Sequence, residues 1–135
     1  MFQGSCMCQL VQYQFTGPSL WCAHCHCTDC RAAHGAAFVT WFGVDEADFK
    51  LTAGESALRW YTSSPGARRG FCATCGTTLF FQAERWKGEM HITLASLATA
   101  LDRAPQAQVF WDSHVAWLPD PVLPRYGGPS GTEPQ

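Results

Sequence analysis

Cys22-Ala23-His24-Cys25-His26-Cys27-Thr28-Asp29-Cys30 sets four thiols in one short run, and what gathers those sulfurs decides how the rest of the chain folds. The other four cysteines stand in two equally tight pairs, Cys6-Met7-Cys8 and Cys72-Ala73-Thr74-Cys75. Cysteines one or two residues apart pair awkwardly with one another as disulfides, whereas tetrahedral zinc accepts such spacings readily. The N-terminus, Met1-Phe2-Gln3-Gly4-Ser5, lacks the basic segment and apolar stretch of an export signal. A cytoplasmic location with reduced thiols is therefore expected, and the cysteines read as metal ligands.

Within the central run, Cys25, Cys27 and Cys30 combine a one-residue gap with a two-residue gap. A strand end turning into a first helical turn gathers three such sulfurs around one ion and leaves the fourth position to an external thiol. Thr28 or Asp29 is expected to cap a short helix through Cys30 to His34, ended by Gly35. Two readings of Cys22 stand. Cys22-Ala23-His24-Cys25 has knuckle-like spacing that would close a four-cysteine structural site. On a strand over 19–24, Cys22 would instead face away from Cys25. His24, His26, His34 and His114 are further candidate ligands. His26 is expected to project away from the ligand face, His91 to be a cross-strand partner, and His114 to line a pocket among aromatics.

The outer pairs read as one closed site. Cys6 and Cys8 are expected to open a strand, where alternate side chains share a face. Cys72-Ala73-Thr74-Cys75-Gly76 resembles a zinc knuckle whose glycine tolerates positive φ. Four sulfurs saturate a tetrahedral ion, so this cluster is expected to be structural.

Between these groups the apolar pattern is mostly period two: Val11, Tyr13 and Phe15, then 37–42, 58–62, 77–81 and 90–94, separated by Gly17-Pro18, Ala53-Gly54, Ser64-Pro65-Gly66 and Lys87-Gly88. A second short helix is expected over 95–101. The fold class is mainly β, in one zinc-binding domain over 1–128, and a proline- and glycine-rich end closes with a flexible tail at 129–135. Charged residues make up 15% of the chain and the net charge is -2, so neither nucleic acid nor a charged membrane surface is an expected partner. No apolar run approaches the ~20 residues of a membrane span. Oligomeric state leaves no signal in the sequence.

Gly4-Ser5-Cys6-Met7-Cys8, Cys25-His26-Cys27-Thr28-Asp29-Cys30-Arg31, Gly70-Phe71-Cys72-Ala73-Thr74-Cys75-Gly76-Thr77 and Ser113-His114-Val115-Ala116-Trp117 together resemble the glutathione-dependent formaldehyde-activating enzyme family. The resemblance implies a β-tent fold of folded-over antiparallel sheets. It also implies structural zinc on Cys6, Cys8, Cys72 and Cys75, and catalytic zinc on Cys25, Cys27 and Cys30. The activity implied is that of a carbon–sulfur lyase, adding glutathione to formaldehyde to give S-(hydroxymethyl)glutathione, or the reverse. Arg31 and Arg69 are the favoured contacts for the glutathione carboxylates. Two departures stand out: Gln9 occupies a position where the family usually has glycine, and Cys22 is an extra thiol. The alternatives are a non-catalytic zinc-scaffolded binding module, or a redox protein that uses Cys22 as its spare thiol.

Overall fold

A computed structural model describes residues 1–118 and 123–135; the Pro119–Pro121 part of the proline-rich end lies outside the described residues. Strand β1 (Phe2–Ser5) pairs with β2 (Gln12–Phe15), which pairs with β5 (Phe49–Ala53), in a three-stranded antiparallel sheet. The larger sheet has seven strands: β3 (Trp21–Cys25), β4 (Val39–Asp45), β6 (Leu58–Ser64), β7 (Ala67–Cys72), β8 (Thr78–Ala83), β9 (Glu89–Thr93) and β10 (Ala107–Val109). Their order is β10-β3-β4-β9-β8-β7-β6, antiparallel except where β10 joins β3 in parallel. One α-helix, α1 (Thr28–His34), follows β3 directly. The fold is thus mainly β, with folded-over sheets and short helical pieces.

Because side chains alternate along a strand, each row across the large sheet faces one way. Cys22, Phe42, Ile92, Phe80, Gly70 and Trp60 stand in register across six strands and face the small sheet. Phe15 meets Phe42 at 5.3 Å between ring centroids, and Tyr13 and Phe49 meet Phe80 edge-on at 5.4 and 5.2 Å. The buried Tyr13 hydroxyl is satisfied by Ser96 Oγ at 2.8 Å. The neighbouring row, Trp21, Gly43, His91, Phe81, Arg69 and Tyr61, faces the opposite way, and four of its members, Trp21, His91, Phe81 and Arg69, line a cleft. Gly43 is required there: a Cβ would lie 2.4 Å from Trp21 Nε1, so only glycine lets that indole cross β4 to reach Glu89.

The C-terminal part returns alongside β3. Ser19 Oγ donates to Asp102 at 2.6 Å and accepts from Arg103 Nε at 2.8 Å, and Gln106 N donates to the Cys22 carbonyl. The helix expected over 95–101 is instead a single 3₁₀ turn, Leu94–Ser96, because Leu97 turns extended and bridges to Gly4. Residues 129–135, expected as a tail, contain β12 (Glu133–Pro134), which pairs with β11 (Tyr126–Gly127). Among the described residues, no helix is long and apolar enough to cross a membrane.

Phe80 links both sheets, so Phe80→Ala is expected to lower the unfolding free energy by about 3–5 kcal/mol, read from urea denaturation.

Candidate metal centres and the cleft

All eight cysteines are free thiols, and seven fall into two clusters. In the first, the sulfurs of Cys6, Cys8, Cys72 and Cys75 all lie within 4.8 Å of one another. Cys6 Sγ is 3.6 Å from Cys8 Sγ, and Cys8 Sγ is 3.8 Å from Cys72 Sγ. Ligands at ~2.3 Å in a tetrahedron stand about 3.8 Å apart, so the donor set fits a thiophilic tetrahedral ion. Cys6 and Cys8 do not open a strand as expected: β1 ends at Ser5, and a turn follows in which Gln9 N donates to the Cys6 carbonyl. A turn closes on an ion at one point, where a strand would carry the second sulfur past it. Gln9 completes that turn at φ 67°, a left-handed conformation that favours glycine. At the other pair, Gly76 holds φ 77°, and Thr77 Oγ1, 3.1 Å from Cys75 Sγ, draws that thiol down to about 5.

In the second cluster, Cys25 is the last residue of β3, Cys27 precedes α1, and Cys30 lies in its first turn. Their sulfurs also lie within 4.8 Å of one another, with Cys25 and Cys30 at 3.6 Å. The cap expected at Thr28 or Asp29 is Cys27 itself, whose sulfur accepts from Cys30 N at 3.2 Å. The junction residue needed for the ligand set thus also starts the helix. Gly35 ends it at φ 58°. Hydrogen bonds from Cys25, and next from Cys30, hold Cys27 far below the ordinary thiol range, with Arg69 adding its charge. The same contacts push Cys25 upward.

None of the alternative ligands joins this cluster. Cys22 is buried on the core face of β3, against Phe42. His24 bonds Thr40 Oγ1, and His34 bonds Thr78 Oγ1. His26 is buried, with Nε2 2.6 Å from Gln108 Oε1, so its role is hydrogen bonding. His114 stacks flat on Trp111 at 3.9 Å and is exposed.

The second cluster forms part of the wall of a cavity of about 780 Å³. Trp21, Trp41, Phe81 and Trp86 supply apolar walls, and Arg69, Arg85, Asp29 and Glu84 supply charge. Nothing in the spacing of these aromatics in the sequence separates them from core residues. Arg69 is only 8% exposed and sets both terminal nitrogens 3.7 Å from Cys30 Sγ. Arg31 donates instead to the Ser113 carbonyl at 2.9 Å, tying the C-terminal wall to α1, and is not among the cavity's lining residues. His91, a cross-strand partner as expected, also lines the cavity and bonds Glu89 Oε1 at 2.9 Å.

The family model for the glutathione-dependent formaldehyde-activating enzyme matches residues 1–113. The chain belongs to this family. It is similar to an uncharacterised lyase of Schizosaccharomyces pombe, 32% identical over 82 residues, which are 59% of this chain and 56% of that protein. The chain therefore spans little more than half the length of that relative. A crystal structure of a Rhodobacter sphaeroides protein matches with a TM-score of 0.64 at 21% identity, covering 78% of this chain and 98% of that one. The two chains thus share a fold at low sequence identity.

Two outcomes are expected from these centres. Metal analysis should find two ions per chain, Cys72→Ala should lose one and melt well below the parent, and Cys27→Ala should lose one while keeping its fold. Burial holds His91 below the usual imidazole range, so its neutral form favours the folded state. That contribution is present above the unfolded value of ~6.5 and is lost as pH falls toward the folded value, so His91→Gln should lose less stability between pH 7.5 and 5.5 in urea titrations.

Proposed function

We propose that this chain is a zinc-dependent carbon–sulfur lyase-like enzyme acting on glutathione adducts, forming and cleaving S-(hydroxymethyl)glutathione. Family membership and a lyase-named relative support the reaction class. The observation that carries the reading is the three-sulfur cluster on the wall of a large cavity, with no fourth protein ligand beside it among the described residues. Cys25, Cys27 and Cys30 would hold the reactive zinc, and Cys6, Cys8, Cys72 and Cys75 a structural one. Zinc with three thiolate ligands would lower the pKa of a bound thiol while remaining a weak Lewis acid toward a carbonyl.

The reaction needs little from the chain beyond placement. The sulfur lone pair adds to the formaldehyde carbon, the carbon–oxygen π bond breaks, and the oxygen takes up a proton equivalent to the one the thiol lost. The tryptophan walls offer apolar surface beside the sulfurs against which the tripeptide would lie. Arg69 and Arg85 place cationic groups on the cavity wall for an anionic ligand, and Arg31 secures the Ser113 wall. A reduced, glutathione-containing compartment such as the cytoplasm belongs to this proposal.

Adding glutathione to the cobalt-substituted protein should change the thiolate-to-metal charge-transfer band, and Cys27→Ala should abolish the change. The parent should also speed S-(hydroxymethyl)glutathione formation, followed by NMR, above the uncatalysed rate. A band that does not respond while both ions stay fully bound would exclude an enzyme of this kind and leave a metal-scaffolded binding module.

A further inference from the structure

Phe110 carries two costs that neither its turn nor its packing explains. Its backbone lies in the left-handed region, at φ 54° and ψ 39°, where a bulky side chain is strained. Its side chain is also 50% exposed. A glycine would remove both costs. The turn is held without the ring: Ser113 N donates to the Phe110 carbonyl at 3.0 Å, and Arg31 donates to the Ser113 carbonyl at 2.9 Å. Trp111 beside it stacks on His114 and meets His26 edge-on, whereas Phe110 joins no aromatic pair among the described residues. Gln9 has a similar backbone, but its side chain is one that water tolerates. Strained residues gather where they meet a ligand.

Phe110 lines the cavity, and register fixes its place there. β10 sets Val109 beside Cys25, and His26 N donates to the Val109 carbonyl at 3.0 Å, so Phe110 follows directly at the thiol end of the cavity. Trp41 and Val109 pack with Cys25 and Cys30. A group bonded to the reacting carbon of a sulfur adduct held at the triplet would therefore meet Trp41, Val109 and Phe110. Formaldehyde offers them only hydrogen atoms, and it fills little of a cavity of about 780 Å³.

We propose that the site also takes aldehydes that carry an apolar aryl or alkyl group, and that Phe110 is the residue that selects them. The proposal rests on the lyase reading of the triplet and adds a class of electrophile which that reading does not require. The sulfur lone pair forms a carbon–sulfur bond to the aldehyde carbon, the carbon–oxygen π bond breaks, and the oxygen takes up a proton equivalent to the one the thiol lost. Nothing is oxidised or reduced, and the reverse step releases the aldehyde. Contact between the Phe110 ring and the apolar group removes both from water, which offsets the exposure of the ring in the free protein.

The test compares phenylacetaldehyde with formaldehyde, each with glutathione and the zinc-loaded protein, by NMR exchange rates divided by the uncatalysed rate for the same aldehyde. The parent should accelerate the phenylacetaldehyde reaction about 10-fold more than the formaldehyde reaction, the factor expected from burying part of a phenyl group. Phe110→Gly should cut that ratio about fivefold and melt no lower than the parent, because glycine accepts the left-handed backbone. Phe110→Asn, which also tolerates that backbone, decides should the glycine variant not fold. As a reading independent of turnover, 2-phenylethanol, which cannot react, should bind the parent about fivefold more tightly than the variant in ligand-observed NMR. Equal acceleration of the two aldehydes, a ratio that the variants leave intact, or equal binding of 2-phenylethanol would each overturn the selection by Phe110 while leaving the lyase reading intact. A melting temperature well below the parent's with the ratio unchanged would make Phe110 a structural residue and overturn it as well. Acceleration of neither aldehyde would overturn the lyase reading and this proposal with it.

Discussion

The two-residue alternation of β3 is the constraint on which the rest of the molecule depends. It sends Cys22 into the core with Phe42 and Ile92, and Trp21, Ala23 and Cys25 toward the cavity. A slip of one residue in the pairing of β3 with β4 would exchange the two sets, putting Trp21 into the core and Cys22 on the cavity face. Register in this sheet therefore fixes packing and ligand geometry together. The extra thiol at position 22 behaves as a small apolar side chain and takes no part in the neighbouring cluster.

The two sulfur clusters act on different scales. Cys25, Cys27 and Cys30 are local and would assemble at any strand-to-helix junction of this geometry. Cys6 and Cys8 meet Cys72 and Cys75 across more than sixty residues, joining the turn after β1 to the turn after β7. Long closures gain most from a cross-link, because the loop entropy is removed from the unfolded chain. A bound ion there adds to the aromatic contacts between the small sheet and the large one. Gln9 opposes this: its left-handed backbone costs about 1 kcal/mol that a glycine would not.

What could be read from the residues alone follows from how local each signal is. The seven cysteines were assignable to two sets because chelating spacing is a property of adjacent residues. Gly35 marked the helix end because a left-handed cap favours glycine. Strands with one apolar face, such as β2 and β9, announced themselves by alternation. β7 did not, since Arg68 and Arg69 interrupt it and Arg69 turns inward to the sulfurs. β10 is three residues of a long return, held by contacts to Ser19 and Cys22 that no pattern near Ala107 encodes. The cavity was equally hidden: no local pattern joins Trp21 and Trp86, and only the cross-strand register gathers them with His91 and Arg69.

All the clustered cysteines lie at or before position 75, whereas Val109, Phe110 and Ser113, which complete the cavity wall, come from the parallel return near the end of the matched region. On a ribosome the clustered cysteines emerge well before the residues that complete the cavity wall. An ion can be captured while the site is still open on one side, and the late arrival of the β10 segment then narrows access to it.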